Sequence, residues 1–404
     1  MQRRVVITGM NMITALGLNL RENWENLTAG KNGVGKITLF DPEGLQTQIA
    51  AQVPEKFEEL ASGYIRKRNA DQMTRVTRMC FVSAVEAVRQ AGIEFEKMDR
   101  SRSGVILGVV STGNTSAERG TTSKNRVLKS MSNAMPAWIS LEYKLRGPNF
   151  TVASACASSA FAIGLGYDLI RRGEADIVIT GGADSIINRE EIEGFNELYA
   201  LSVNNDPETA CRPFSKDRDG FVIGEGAGIM ILESEESALR RNAAIHAELA
   251  GYAITSEGYN IMAPMKEGEG IAETIRQALE NTGIKPEEVA YINAHGTSTI
   301  LNDMYETMAI KKVFGEHAYK IPVSSTKSMI GHTVGAAGVI EGIVTVMSLK
   351  TGLLTPTIHL DTPDPDLDLD YVPNFAREHP VNCAISNSFA FGGHNATLVF
   401  KKYH

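Results

Sequence analysis

Two short apolar runs in this chain each open into a loop of small residues, and the likeness between them narrows the folds available. Thr151-Val-Ala-Ser154 leads into Ala155-Cys156-Ala157-Ser158, and Ala290-Tyr-Ile-Asn293 leads into Ala294-His295-Gly296-Thr297. Strand-like and helix-like segments alternate around both. Val5–Thr8, Ser103–Leu107, Ile177–Thr180 and Gly226–Glu233 read as strands of a first set. Ile245–Tyr252, Ala290–Asn293, Asn382–Ser386 and Ala396–Phe400 read as a second. Thr74–Ala91, Glu269–Thr282, Asp303–Phe314 and Val339–Leu349 carry apolar residues at helical spacing. Strands separated by helices specify an α/β fold with mainly parallel pairing. The repeated order predicts a duplicated unit, with halves 1–243 and 244–404. Three further readings follow from local composition: Gly9–Gly17 as a loop, Ser130–Leu145 as one helix despite Pro136, and acidic Asp361–Asp370 as a solvated loop.

The chain is long enough for two domains or one duplicated one, with 404 residues and 43% hydrophobic content. Its net charge of −8 argues against non-specific nucleic-acid binding. No apolar run is expected to cross a membrane, and the N-terminus reads as a strand, not a signal peptide. Four cysteines, Cys80, Cys156, Cys211 and Cys383, show neither metal spacing nor a disulfide pattern, which points to a reducing, cytoplasmic setting. No metal is expected.

Chemistry concentrates in three places. Cys156 sits between a strand and a helix carrying Phe161, Leu165, Leu169 and Ile170. Placed at a helix start, its thiolate is expected to be favoured by unpaired backbone N–H groups and the helix dipole. His295 lies in His-Gly-Thr-Ser-Thr299, and His332 ends Ser324-Ser-Thr-Lys327-Ser-Met-Ile-Gly-His332. Both have Gly and hydroxyl neighbours, where α/β proteins place reactive loops. Lys327 stands in a segment low in charge, so it is expected to pair with a carboxylate, best Glu341. A final turn, Asn387-Ser-Phe-Ala-Phe391-Gly-Gly-His-Asn395, offers a backbone N–H and an aromatic lid. One thiol with two histidines points to acyl transfer through a thioester, with two imidazoles donating to one developing oxyanion.

These three motifs resemble those of the elongating β-ketoacyl-acyl-carrier-protein synthases, over essentially the whole chain and including Arg212-Pro-Phe-Ser-Lys-Asp-Arg-Asp-Gly-Phe-Val-Ile-Gly-Glu-Gly228. The resemblance implies the thiolase fold, a duplicated five-layered αβαβα arrangement. It implies that Cys156 takes an acyl group from the phosphopantetheine arm of an acyl carrier protein, with no other cofactor bound. The backbone N–H groups of Cys156 and Phe391 would form the oxyanion hole, and Phe391 would gate the acyl pocket. His295 and His332 would hold the enolate formed when malonyl carrier protein loses CO2. Lys327 and Glu341 would hold His332 and its loop, and Thr297 and Thr299 would bind the pantetheine arm. A dimer is implied, either of identical chains or with a chain-length-factor-like paralogue.

The chain departs from the usual family pattern at Asn11, Ala390, His394 and Ser111. Ser111 stands where a bulky aliphatic is usual, which predicts a more polar acyl pocket. Pro136-Ala-Trp138 and Asn302-Asp303-x-x-Glu306-Thr307 look like ketosynthase subunits of type II polyketide systems. A carrier-protein docking patch is expected from Arg66, Lys67, Arg68, Lys124, Arg126 and Lys129, because a chain at −8 attracts an acidic partner only through a local patch. A biosynthetic thiolase is the alternative of the same fold. It would need a second cysteine in a Cys-x-Gly-Gly-Gly turn, and Cys383 is not in one.

Overall fold

In the computed structural model the described residues are 3–113 and 125–404. Ten strands form one continuous sheet: β1 Val5–Ile13, β2 Ser103–Gly108, β3 Asn149–Val152, β4 Ile177–Asp184, β5 Gly226–Ser234, β6 Ala247–Ser256, β7 Tyr291–Asn293, β8 Val323–Ser324, β9 Cys383–Ala390 and β10 His394–Lys401. Their spatial order is β3-β2-β4-β5-β1-β6-β10-β9-β7-β8. Counted within each half, both sets of five follow one order: third, second, fourth, fifth, first. The senses repeat too. The second strand runs parallel to the third and fourth, and the fifth runs antiparallel to the fourth and first, in both halves. The half-sheets join through a short antiparallel contact, Val5–Ile7 against Ala247–Leu249.

Two helices occupy the middle of the molecule, α2 Ser158–Arg171 and α5 Ala337–Thr351. They pack on each other and on strands of both half-sheets. Outside lie α1 Arg75–Ala91 on the first half-sheet, and α3 Glu269–Thr282 with α4 Ile300–Phe314 on the second. Helix, sheet, helix, sheet, helix makes five layers. The sequence explains which helix goes where. In α5 every residue from Ala337 to Leu349 is buried, as a helix apolar all round must be. In α1 Thr74 accepts the N–H of Thr77, Gly92 closes the helix in the left-handed region, and one apolar face is buried. Gly108 is what lets α2 reach the sheet, since a Cβ there would meet the Ser158 carbonyl carbon at 2.2 Å.

Four local readings change. β1 runs on to Ile13 with a bulge at Thr8, so most of Gly9–Gly17 is strand: Met10, Met12 and Ile13 all carry buried side chains. The stretch 130–145 is not one helix. Arg126–Ser130 ends and Ala134–Tyr143 begins, with Pro136 in the new helix's first turn, where its missing N–H costs little. The acidic loop is tied down, since Asp364 pairs with Arg218 at 2.6 Å and Leu367 and Leu369 are buried. Val334–Thr351 does have the length and composition of a membrane span, but 83% of it is buried in the central layer.

Candidate active site

The strand ends of both halves converge where α2 and α5 begin. Cys156 lies two residues before α2 in a tight turn. Ala155 holds φ 45° there, and Ser158 Oγ accepts the Ser154 N–H at 2.8 Å and donates to the Ala155 carbonyl at 2.6 Å. The cysteine therefore stands on a strained turn before the helix, not within it. Its side chain and that of Phe391 pack on an apolar cluster containing Ile186, Ile187, Leu201, Phe221, Ile223 and Val334. These surroundings push the thiol up to about 12, against the pull of Lys327 and with a further rise from Asp184. Burial thus works against the thiolate that a helix start was expected to favour.

His295 and His332 are both 2% exposed, with ring centroids 5.4 Å apart and planes at 85°. Phe221 lies edge-on to His332 at 5.2 Å and so links the imidazoles to the cluster around Cys156. His332 is fixed by the chain it rides on: its N–H donates to Val222 O at 2.7 Å, and its carbonyl accepts Gly224 N–H at 2.9 Å. Its Nδ1 accepts the Val334 N–H at 3.2 Å. His295 Nδ1 lies 3.3 Å from Lys327 Nζ, a group that can only donate. Both Nδ1 atoms are thus acceptors, and the proton of each neutral ring sits on Nε2. Burial first, then the Lys327 charge, holds both imidazoles well below the usual range, with His332 depressing His295 further. They are neutral donors at neutral pH.

Lys327 is 1% exposed and donates to Glu341 Oε1 and, at 2.6 Å, to the carbonyl of His295. Its side chain contacts His295 and not the His332 ring, which corrects that part of the expectation, while its carbonyl accepts the Gly331 N–H at 2.9 Å in the loop that carries His332. The loop 295–299 has a second support that the sequence reading passed over. Asp303 and Glu306 lie one turn apart on α4, fully buried. Glu306 accepts the N–H groups of His295 at 2.9 Å and Gly296 at 2.8 Å. Asp303 accepts those of Thr297 at 2.9 Å, Ser298 at 3.2 Å and Phe214 at 2.9 Å. Burial raises both carboxyls, Glu306 to about 7. The available signal was two acids at i and i+3 directly after a Gly-containing loop.

The remaining candidates separate. Thr297 and Thr299 share a hydroxyl hydrogen bond of 2.9 Å at the end of this loop. Ser111 Oγ accepts the Gly113 N–H at 3.0 Å and retains its own O–H as a donor. Phe391 is followed by Gly392 at φ 83°, whose N–H donates to Ile261 O at 2.7 Å. Arg66, Lys67 and Arg68 are exposed together, Arg126 is exposed and Lys129 half-buried, and Lys124 lies outside the described residues.

Comparison with known proteins decides the family. The β-ketoacyl synthase N-terminal domain matches residues 2–238 and the β-ketoacyl synthase C-terminal domain residues 246–361. The chain belongs to the β-ketoacyl synthases. It is 43% identical to 3-oxoacyl-[acyl-carrier-protein] synthase 2 of Staphylococcus aureus strain COL, over 99% of each chain. It is 42% identical to the synthase of that name from Synechocystis sp., over 100% of this chain and 99% of the relative. Among solved structures, a type II polyketide ketosynthase in complex with its acyl carrier protein superposes at TM-score 0.91 with 32% identity, covering 100% of both chains. The ishigamide ketosynthase/chain length factor does so at 0.91 and 35%, again over 100% of both. This β-ketoacyl synthase therefore has the thiolase fold expected from its motifs, and it is a condensing acyltransferase that elongates acyl chains by Claisen chemistry.

Proposed function

We propose that this ketosynthase uses Cys156 as the acyl acceptor and His295 with His332 as the decarboxylating pair. The observation that carries this reading is the occupation of both imidazole Nδ1 atoms, which leaves two neutral Nε2–H donors on perpendicular rings. In the first half-reaction the Cys156 sulfur attacks the acyl thioester of a carrier protein. The backbone N–H groups of Cys156 and Phe391 receive the oxyanion, and the carrier's pantetheine thiol leaves with the proton. In the second, a malonyl thioester loses CO2, and the electron pair left behind forms an enolate whose oxygen accepts from both Nε2–H groups. The enolate carbon then attacks the Cys156 thioester, releasing the sulfur and giving a β-ketoacyl chain two carbons longer. Lys327 and Glu341 hold His295. The pantetheine arm would meet Thr297 and Thr299, whose hydroxyls each retain bonding capacity beyond their mutual contact.

The partner is an acyl carrier protein that delivers a fatty-acid, polyene or polyketide chain and docks on the Arg66–Arg68 patch. A second subunit, another copy or a chain-length-factor-like paralogue, would cover the β3 edge, where Phe150 is 37% exposed and the neighbouring helices carry Leu141 at 67% and Val127 at 70%. The halves divide at 243/244, and the enzyme works in the cytoplasm, in keeping with four unpaired cysteines. The test is CO2 release from malonyl carrier protein. Cys156→Ala should abolish condensation and keep decarboxylation, whereas His332→Ala should lose decarboxylation and keep acylation of Cys156. Condensation by Cys156→Ala would refute the assignment.

A further inference from the structure

β4 ends on Asp184, whose carboxylate is fully buried. It takes backbone N–H groups from three segments: Ser185 at 3.0 Å, Gly335 at 3.0 Å, and Ser111 in the loop after β2. Gly335 comes from the other half of the molecule, three residues beyond His332 and two before α5. A Cβ at 335 would lie 2.8 Å from Asp184 Oδ2 and 3.1 Å from Val110 Cγ2, so the approach requires glycine.

Between His332 and Gly335 stands Val334 at φ 46°. A β-branched residue in the left-handed region is a genuine outlier and persists only when its surroundings impose it. The same turn occurs in the first half. Ala155, at φ 45°, stands three residues before the first residue of α2, as Val334 stands three before that of α5. Ala155 has no β-branch, and Ser158 ties its turn locally. Val334 has the worse side chain for this conformation; its turn is closed by the Ala336 N–H on the Thr333 carbonyl at 3.0 Å, and Asp184 adds a tie from the other half at Gly335. Val334 is also the residue whose N–H meets His332 Nδ1.

We infer that Asp184 is a positioning residue for His332: by holding the Gly335 N–H it keeps Val334 left-handed, which keeps the Val334 N–H on Nδ1 and the proton on Nε2. The inference rests on the role of His332 in decarboxylation given above. It distinguishes Asp184 from a carboxylate that merely braces a loop, because its effect passes through one backbone conformation.

The experiment measures CO2 release from malonyl carrier protein and acylation of Cys156 in Asp184→Asn, Gly335→Ala, His332→Ala and the double variant Asp184→Asn with Val334→Gly. Asp184→Asn should slow decarboxylation about tenfold or more, since small misplacements cost that much. Acylation of Cys156 should not slow, because the lost carboxylate had disfavoured its thiolate. Imidazole 15N spectra should show His332 leaving the pure Nε2–H tautomer. Adding Val334→Gly should restore most of the lost decarboxylation, since glycine adopts the left-handed region freely. Parallel loss of both half-reactions, or no rescue by Val334→Gly, overturns the proposal. If Asp184→Asn does not fold, Gly335→Ala displaces the same contact, and unchanged decarboxylation there overturns it equally. His332→Ala separates the two levels. If it decarboxylates normally, the assignment of His332 fails and the proposal with it. If it does not, while Asp184→Asn does, only the Asp184 proposal fails.

Discussion

Lys327 Nζ touches His295 twice, at the carbonyl oxygen 2.6 Å away and at Nδ1 3.3 Å away, while its remaining donor goes to Glu341. One buried ammonium thereby sets the position of the His295 backbone and the tautomer of its ring. Lys327→Met should cut decarboxylation by about a hundredfold, the scale of a lost positioning contact. It should also destabilise the fold by about 1–3 kcal/mol, because the His295 carbonyl and Glu341 lose their buried donor. Adding Glu341→Gln should recover much of the stability and none of the activity. Thermal melts beside a CO2 assay decide it, and recovery of activity would count against this role.

Glu306 supports the same loop through its backbone. Glu306→Gln retains one carbonyl acceptor for two N–H groups, so one of the His295 and Gly296 amides loses its partner. A buried unpaired group costs about 1–3 kcal/mol. The expected result is a decarboxylation defect larger than the acylation defect, read by assaying the two half-reactions separately. Equal defects would mean that Glu306 serves the fold alone.

The pH dependence has a definite sign. The thiol of Cys156 is pushed up to about 12, so its alkylation by iodoacetamide should rise about tenfold per pH unit from pH 6 to 9, as thiolate does below its pKa. His295 and His332 titrate well below 6.5 and add no pH dependence of their own to decarboxylation over that range. Stability behaves differently. Glu306 and Asp184 sit at about 7, and Glu341 is raised, so the folded state holds protons there that the unfolded chain has released. Their contribution is lost as pH rises through 7. Below 6.5 the depressed histidines act in the opposite direction, because the unfolded chain then binds protons that the fold refuses. Melting temperature should therefore fall from pH 6.5 to 8 and change little from 5 to 6.5. A rise between 6.5 and 8 would contradict these environments.

Docking should be electrostatic and local. Reversing Arg66 and Arg68 to Glu should raise KM for carrier-bound acyl groups and flatten its salt dependence, while transfer from a small pantetheine thioester stays unchanged. An unchanged KM would move the docking face elsewhere.

The duplication was legible because strand period and helix period are written locally, and the Lys327–Glu341 pair because a lone cation in an apolar stretch needs a partner. What escaped was decided at longer range. Which imidazole Lys327 touches depends on how β7 and β8 lie side by side, which brings Lys327 to His295 across 32 residues of chain. The state of Cys156 depends on desolvation by residues from four separate segments. The bulge that carries β1 on to Ile13 follows from its pairing with β5, which no local pattern announces.

If Cys156 carries the acyl chain, what it packs against should set acyl preference. That wall is apolar, with Ile186, Ile187, Leu201 and Phe221 in it and Phe195 and Phe391 against it. On the proposed acylation of Cys156, an acyl chain should lay its first carbons along that wall, where each buried methylene gains about 0.8 kcal/mol. A carbonyl at the β position would instead be desolvated, and an unsatisfied buried acceptor costs about 1–3 kcal/mol. That difference corresponds to about 5- to 150-fold in rate. Saturated and conjugated enoyl chains should therefore outcompete β-ketoacyl chains of equal length for Cys156. Competition between matched acyl carrier proteins, read by intact mass of the acylated enzyme, tests this directly. Preference for the β-ketoacyl chain would show that a donor near the sulfur meets that oxygen, and would turn the reading toward poly-β-keto substrates.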